Sequence, residues 1–213
     1  MLAVEDIPNF MKDLRQHPSI SARCLEFAIL TAVRSGNARE AEWDEINWDK
    51  KVWIIPAKKM KVSSNGDHVV PLSTQVLELL KSIEGVNESK YIFLSPATSS
   101  ALSDTSLKSV IEKMHIESLL NGGKGYFDPK QVKKSGNRCI ATPHGLARAS
   151  FRTWAQDDEL GNDRRFSERT AELCLHHKAF DSYKGAYERN EAMKSRIEMM
   201  QAWSDYCFSE RKK

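Results

Sequence analysis

The pattern that most constrains this chain is a helical period in its first third. Leu25, Ala28, Ile29 and Ala32 recur at i, i+3, i+4 and i+7, so Ser21 to Val33 must bury one face of a helix that closes near Gly36. Arg34, in the run TAVRSG, therefore sits where a helix ends. Val52-Trp53-Ile54-Ile55 and His68-Val69-Val70-Pro71-Leu72 leave that period and read as strands, with Asn65-Gly66 between them supplying turn chemistry. Lys61 falls on the hairpin or small sheet they form. Ser73 next caps a helix whose Val76, Leu77, Leu80 and Ile83 face inward and which Gly85 ends.

A short strand at Tyr91-Ile92-Phe93-Leu94 and a helix from Asp104 to His115 follow. Residues Asn121 to Thr142, rich in Gly, Lys and Asn and holding Pro129, predict a long irregular loop. Beyond it the pattern is helical throughout: His144 to Gln156, Ser167 to His176, Phe180 to Arg189 and Glu191 to Phe208. In the last of these Met193, Ile197, Met200, Trp203 and Cys207 form one apolar stripe, which needs a groove on its own body or on a neighbour. Neither an internal repeat nor a low-complexity segment interrupts the chain. The fold class is therefore α+β, mainly α-helical with a small antiparallel β-sheet.

At 213 residues and 40% apolar content the chain can bury an ordinary core. Its 32 Lys+Arg against 29 Asp+Glu give a net charge of +3, so any basic surface must come from local clustering. Cys24, Cys139, Cys174 and Cys207 lie far apart without a CxxC pair, which points to a reducing cytoplasm. No apolar run approaches the roughly 18 residues of a membrane span. Met1 to Val4 reach Glu5 and Asp6 too soon for a signal peptide.

The side chains that could do chemistry fall in a suggestive order. Arg34 and Lys61 lie upstream; His144-Gly145-Leu146-Ala147-Arg148, Leu175-His176-His177-Lys178 and Tyr187 lie downstream. Cleaving a phosphodiester with a protein nucleophile needs cations for the non-bridging oxygens, a base for the nucleophile's proton and an acid for the leaving hydroxyl. Guanidinium groups suit the first task because a planar fork meets two phosphate oxygens. His144 follows Thr142-Pro143 at a helix start, where an imidazole can exchange a proton near neutral pH. His177 can donate to a phosphate oxygen, or stabilise a helix C-terminus. Cys174 and His176 could bind metal, but no second ligand pair has structural-zinc spacing. Lys61 shares a basic run with Lys58 and Lys59, and Tyr183 is a second candidate nucleophile one turn before Tyr187.

Taken together, the blocks LEFAILTAVRSG, IIPAKKMK with HVVPLS, PHGLARASFRTWA, ELCLHHK with AY, and MMQAWSDYC resemble the tyrosine recombinase (phage integrase) family. Within it they look most like the integrases of genomic islands and satellite prophages. The resemblance runs over nearly the whole chain and implies the tyrosine recombinase catalytic-domain fold. It also implies a site-specific recombinase that cleaves and rejoins DNA through a 3′-phosphotyrosyl intermediate during integration or excision of a mobile element. In that reading Arg34 and Arg148 clamp the phosphate, and Lys61 is the general acid toward the 5′-hydroxyl. His144 assists proton transfer at the tyrosine, His177 hydrogen-bonds the scissile phosphate, and Tyr187 is the nucleophile. The ten-residue spacing from His177 favours Tyr187 over Tyr183. No metal, ATP or other cofactor is implied.

Two positions depart from the family pattern. The usual spacing in the second box is His-x-x-Arg, whereas Ala147 holds that place here and Arg148 comes one later; the SFRTW block supports Arg148, with Arg152 as the alternative. Asn37 stands where an acidic residue commonly follows the first arginine, so Arg34 would be held differently, with Glu40 a candidate. The family's N-terminal arm-binding and core-binding domains are expected to be absent, making residues 1–213 a catalytic domain. Lys124, Lys130, Lys133 and Lys134, with Arg138, could touch the phosphate backbone or form a solvated basic loop. Gly122-Gly123-Lys124-Gly125 lacks Walker spacing. Implied partners are double-stranded attachment-site DNA, further protomers forming a tetramer on DNA from a monomer in its absence, and DNA-bending accessory factors. No membrane partner is implied, and the setting is the bacterial cytoplasm at the nucleoid. The rival readings are a catalytically inactive DNA-binding or regulatory module and a type IB topoisomerase-like relaxase.

Overall fold

The computed structural model describes residues 1–63, 66–85, 88–177 and 186–209, with the backbone alone for 186–191. Helix α1 (Ile7–Gln16), which the sequence reading left unassigned, buries Ile7, Phe10, Met11 and Leu14, a stripe at helical spacing. Helix α2 (Ile20–Thr31) begins at Ser19, whose Oγ accepts the Ala22 N–H at 3.2 Å, and nearly every residue from Ala22 on is buried. It is the central strut. The helix stops at Ala32 in the left-handed conformation (φ 53°), and after Val33 the short α3 (Ser35–Arg39) starts with Arg34 as its N-cap.

Strands β1 (Ile46–Asn47), β2 (Val52–Ile55) and β3 (His68–Pro71) form an antiparallel sheet in that order, with Trp53 opposite Val70 and Ile55 opposite His68. The expected β2–β3 pair is present, joined by β1. Trp53 is fully buried beside Phe27, at 4.9 Å between ring centroids. Ser73 caps α4 (Thr74–Ile83), which buries Val76, Leu79 and Leu80 with Leu77 and Ile83 partly covered. Gly85 takes φ 74° just past its end. The run Tyr91–Leu94 is not a strand: Tyr91 and Leu94 make single bridges to Glu42 and Ala101, and the apolar Ile92 and Phe93 are core side chains. An apolar run of that length fits a buried connection as well as a strand.

Helix α5 (Ser106–Leu120) outlasts its expected end at His115 by more than one turn. The expected irregular loop after it is in fact a hairpin of β4 (Phe127–Val132) and β5 (Arg138–Ile140), Phe127 opposite Ile140. Most of its residues are exposed on both faces, so no apolar alternation announces the strands.

Pro143 then opens a helical run that contains a π-turn at Gly145–Ala149 and continues as α6 (Ser150–Ala155). Short α7 (Asn162–Arg165), α8 (Glu168–Cys174), capped by Ser167, and the long α9 (Ala186–Cys207) complete the described chain. Among the described residues no helix is long and apolar enough to cross a membrane.

The groove for the C-terminal stripe lies on the chain's own body. Met199, Met200, Trp203 and Cys207 are buried, and Trp203 Nε1 donates to the Ile29 carbonyl of α2 at 2.8 Å. Phe151 and Trp154 pack on the same indole, at 5.7 and 5.2 Å between ring centroids. Ser204 bonds Ser73 at 2.7 Å, and Arg196 donates to the Val69 carbonyl of β3. The stripe therefore divides: Met200, Trp203 and Cys207 dock in cis, whereas Ile197 stays 49% exposed.

Candidate active site

The π-turn answers the irregular spacing of the second box. Thr142 caps the helix, its Oγ1 accepting the Gly145 N–H at 3.0 Å, and the Ser150 N–H reaches back five residues to the Gly145 carbonyl, which also accepts Ser150 Oγ at 3.0 Å. A π-turn holds one residue more than an α-turn. It absorbs the additional residue between His144 and Arg148, so Arg148 still points inward, 5% exposed.

A buried guanidinium needs compensation. Among the described residues no carboxylate lies at ion-pair distance from Arg148; instead two helix ends surround it. Its Nη1 donates to the Ala32 carbonyl at 3.2 Å, at the C-terminus of α2, and its Nη2 donates to the Leu175 carbonyl at 2.9 Å, at the C-terminus of α8. Carbonyls gather partial negative charge at such ends. Left-handed backbone adjoins both carbonyls, at Ala32 (φ 53°) and His176 (φ 56°), a conformation rare outside glycine and frequent at functional sites. Burial lowers the Arg148 pKa, the Arg34 charge lowers it further and Glu172 opposes them, leaving it at about 10 and the group cationic at neutral pH.

Arg148 Nη2 also meets His177 Nε2 at 2.8 Å, and His177 Nδ1 lies 2.5 Å from Glu172 Oε2. Arg152, the alternative second arginine, does not enter the cluster. It sits outside, its Nε donating to Glu172 Oε1 at 2.6 Å and its Nη2 to Glu168 at 2.5 Å. Burial would raise the Glu172 pKa, but the hydrogen bonds from His177 and Arg152 outweigh it and hold the carboxyl below its ordinary range. Sequence reasoning passed over Glu172. Its one signal is a place on α8 five residues before His177.

Arg34, half-buried at the α2–α3 break, is close enough for its charge to act on Arg148, His144 and His176. The covered part of the His144 ring, then Arg148 and Arg34, hold its pKa below the ordinary value, which leaves a neutral imidazole at neutral pH. His176 is depressed by burial and by Arg34. Beneath it lies His68 of β3, 3% exposed, with ring centroids 4.6 Å apart. Burial, then Arg196 and His176, push the His68 pKa far down, so this floor is neutral too. Arg34, His144, Arg148 and His177 thus gather in one cluster whose positive charge comes from the two arginines.

The other candidates stand apart. Lys61 is exposed on the β2–β3 connection rather than on a strand, and among the described residues it has no hydrogen-bond or ion-pair partner. Its neighbour Lys59 is turned inward instead, onto Glu42 at 2.9 Å and Glu45 at 2.5 Å, so the basic run is not one solvated face. Asn37 does not hold Arg34: its Nδ2 donates to the Lys59 carbonyl at 2.9 Å, tying α3 to the lysine-bearing connection. Glu40 is exposed and offers Lys59 only its carbonyl, at 2.9 Å. Lys124, Lys130, Lys133 and Lys134 are exposed on and beside the β4–β5 hairpin. Tyr187 belongs to the first turn of α9, with its side chain outside the described residues, and Tyr183 and Lys178 lie outside them altogether. Among the described residues no three His, Cys, Asp or Glu side chains gather as a metal site requires.

Comparison with known proteins places the chain in a family. Residues 1–146 match the family described as "Phage integrase family". Prophage integrase IntA of Escherichia coli (strain K12) is 30% identical over 206 residues, covering 94% of this chain and 42% of that protein. The integrase of Enterobacteria phage P4 is 29% identical over 203 residues, covering 89% and 40%. The chain thus spans about two fifths of the length of these curated relatives. In fold it is similar to the XerA recombinase (TM-score 0.52, 15% identity, 91% of this chain and 62% of that one). It is also similar to lambda integrase, solved as a tetramer bound to a Holliday junction (TM-score 0.51, 17% identity, 100% and 50%).

Proposed function

This chain belongs to the phage integrase family, and on that premise we propose that it is the catalytic domain of a site-specific DNA recombinase. The observation that supports this reading best is the meeting of Arg34, Arg148, His144 and His177 on one surface with no carboxylate at ion-pair distance from Arg148 among the described residues. Such a surface suits a phosphodiester. Arg34 and the unengaged part of the Arg148 fork would hold the non-bridging oxygens, where they also stabilise the charge of the transition state. Tyr187 would attack phosphorus through its phenolic oxygen as the P–O5′ bond breaks. The phenolic proton would pass toward neutral His144, and the leaving 5′-oxygen would take a proton from Lys61 to become the 5′-hydroxyl. The 3′-phosphotyrosine conserves the bond energy, so the reverse attack by a 5′-hydroxyl rejoins the strand without ATP.

The shifted spacing of the second box would favour an inactive DNA-binding module, but the π-turn offsets that shift. By analogy with lambda integrase, protomers would assemble as a tetramer on two duplexes. Attachment-site DNA and DNA-bending factors would complete the assembly in the bacterial cytoplasm, and Lys124, Lys130, Lys133 and Lys134 would line the backbone. Trapping on a suicide duplex built from the ends of the mobile element, in full-length protein, tests the proposal. Wild type and Tyr183→Phe should form a covalent adduct and Tyr187→Phe none. An adduct that survives Tyr187→Phe defeats the assignment.

A further inference from the structure

Glu172 has no part in the mechanism above, yet its carboxylate is hydrogen-bonded directly to His177. We propose that Glu172 is a positioning residue: braced by Arg152, it fixes His177 in the Nδ1–H tautomer and supplies the counter-charge for an imidazolium when Nε2 turns from Arg148 to a phosphate oxygen. The tautomer follows from donor counting. A guanidinium can only donate, so His177 Nε2, 2.8 Å from Arg148 Nη2, must accept, and the ring proton sits on Nδ1, facing Glu172 Oε2 at 2.5 Å. The other Glu172 oxygen accepts Arg152 Nε at 2.6 Å, and Arg152 is itself steadied by Glu168.

Both ends of the Glu172 head group therefore face donors, an arrangement a carboxylate satisfies and an amide does not. In Glu172→Gln the NH2 group must oppose one of them. Facing His177, it drives the proton to Nε2, where it meets the Arg148 N–H. Facing Arg152, it breaks the brace. The same logic ties the carboxylate of a catalytic triad to the tautomer of its histidine.

A bond from Nε2 to a phosphate oxygen would require a second ring proton, with Nδ1 keeping its own. The ring then lies between two anions, Glu172 and the phosphate. That consequence rests on the recombinase reading; the tautomer does not.

Histidine-selective ¹⁵N NMR of this chain at pH 8 reads the tautomer directly. The wild type should show His177 protonated at Nδ1 and Glu172→Asp should keep it there, while Glu172→Gln should either move the proton to Nε2 or keep it and lose the Arg152 bond, which the Arg152 Nε signal reports. On the suicide duplex in full-length protein, Glu172→Gln should cleave about 10- to 100-fold more slowly at unchanged DNA affinity, and Glu172→Asp should recover most of the rate. A wild-type Nε2–H signal, or a folded Glu172→Gln chain that keeps both Nδ1–H and the Arg152 bond or that cleaves at the wild-type rate, overturns the proposal. If Glu172→Gln does not fold, the wild-type tautomer and the Glu172→Asp rate decide it. A wild-type protein that forms no adduct counts against the recombinase reading, while the tautomer still decides this one.

Discussion

Two regions are built on helix α2, by opposite physics. Along its flank, Trp203 of α9 is fully buried with Phe151 and Trp154, and its one polar atom is satisfied by the Ile29 carbonyl. At its C-terminal end, Arg148 is buried almost as deeply, but against carbonyls, histidines and a second arginine. The left-handed Ala32 and His176 belong to the second region. Stability and reactivity thus reside in different places. The aromatic seam gains from every buried square ångström; the cluster gathers positive charge and strained backbone that a fold optimised for stability alone would avoid.

Truncations should separate the two. Trp203→Ala empties the seam and should cost about 3–5 kcal/mol in urea unfolding; a loss below ~1 kcal/mol would mean that α9 is not a structural element of the chain. Arg148→Met should behave in the opposite way. Removing a buried cation offsets the loss of its hydrogen bonds, so stability should move by no more than ~2 kcal/mol in either direction. Cleavage should fall by about 10²–10³-fold, as when one donor to a transition-state oxyanion is removed. Parallel losses of stability and cleavage in both variants would erase the contrast.

Acid should find the cluster first. His68 has a folded pKa far below the unfolded value, so as pH falls below the ordinary histidine range the unfolded chain binds a proton that the folded chain refuses. Stability should drop between pH 7 and pH 5 with a slope of up to ~1.4 kcal/mol per pH unit for each such histidine. His68→Gln should flatten that slope in thermal melts across the range. A slope that His68→Gln leaves unchanged would move the acid sensitivity elsewhere.

Much of the framework was legible because it is local. The apolar period of α2 and the Ser73 cap of α4 depend on residues within a few positions of one another, and β2 and β3 are neighbouring strands joined by a single connection. The β4–β5 hairpin was not legible, since its mostly exposed strands lack a buried face to impose alternation. Periodicity likewise revealed α9 as a helix and most of the side it docks on, through Met200, Trp203 and Cys207, but missed its edges: Met199, which the stripe omits, is buried, and Ile197, which it includes, is exposed.

Residue order is enough to show which side chains are available for chemistry, that Arg34 falls at a helix end and that His144 and Arg148 open a helix. Packing of the whole chain is needed to turn Arg148 rather than Arg152 inward, to bring the carbonyls of Ala32 and Leu175 to it, and to face Glu172 toward His177. The physical reason is range. Helical and strand periods relate residues a turn or two apart, whereas the site joins residues 32, 148 and 175, and their distances are set by how α2, the π-turn helix and α8 pack.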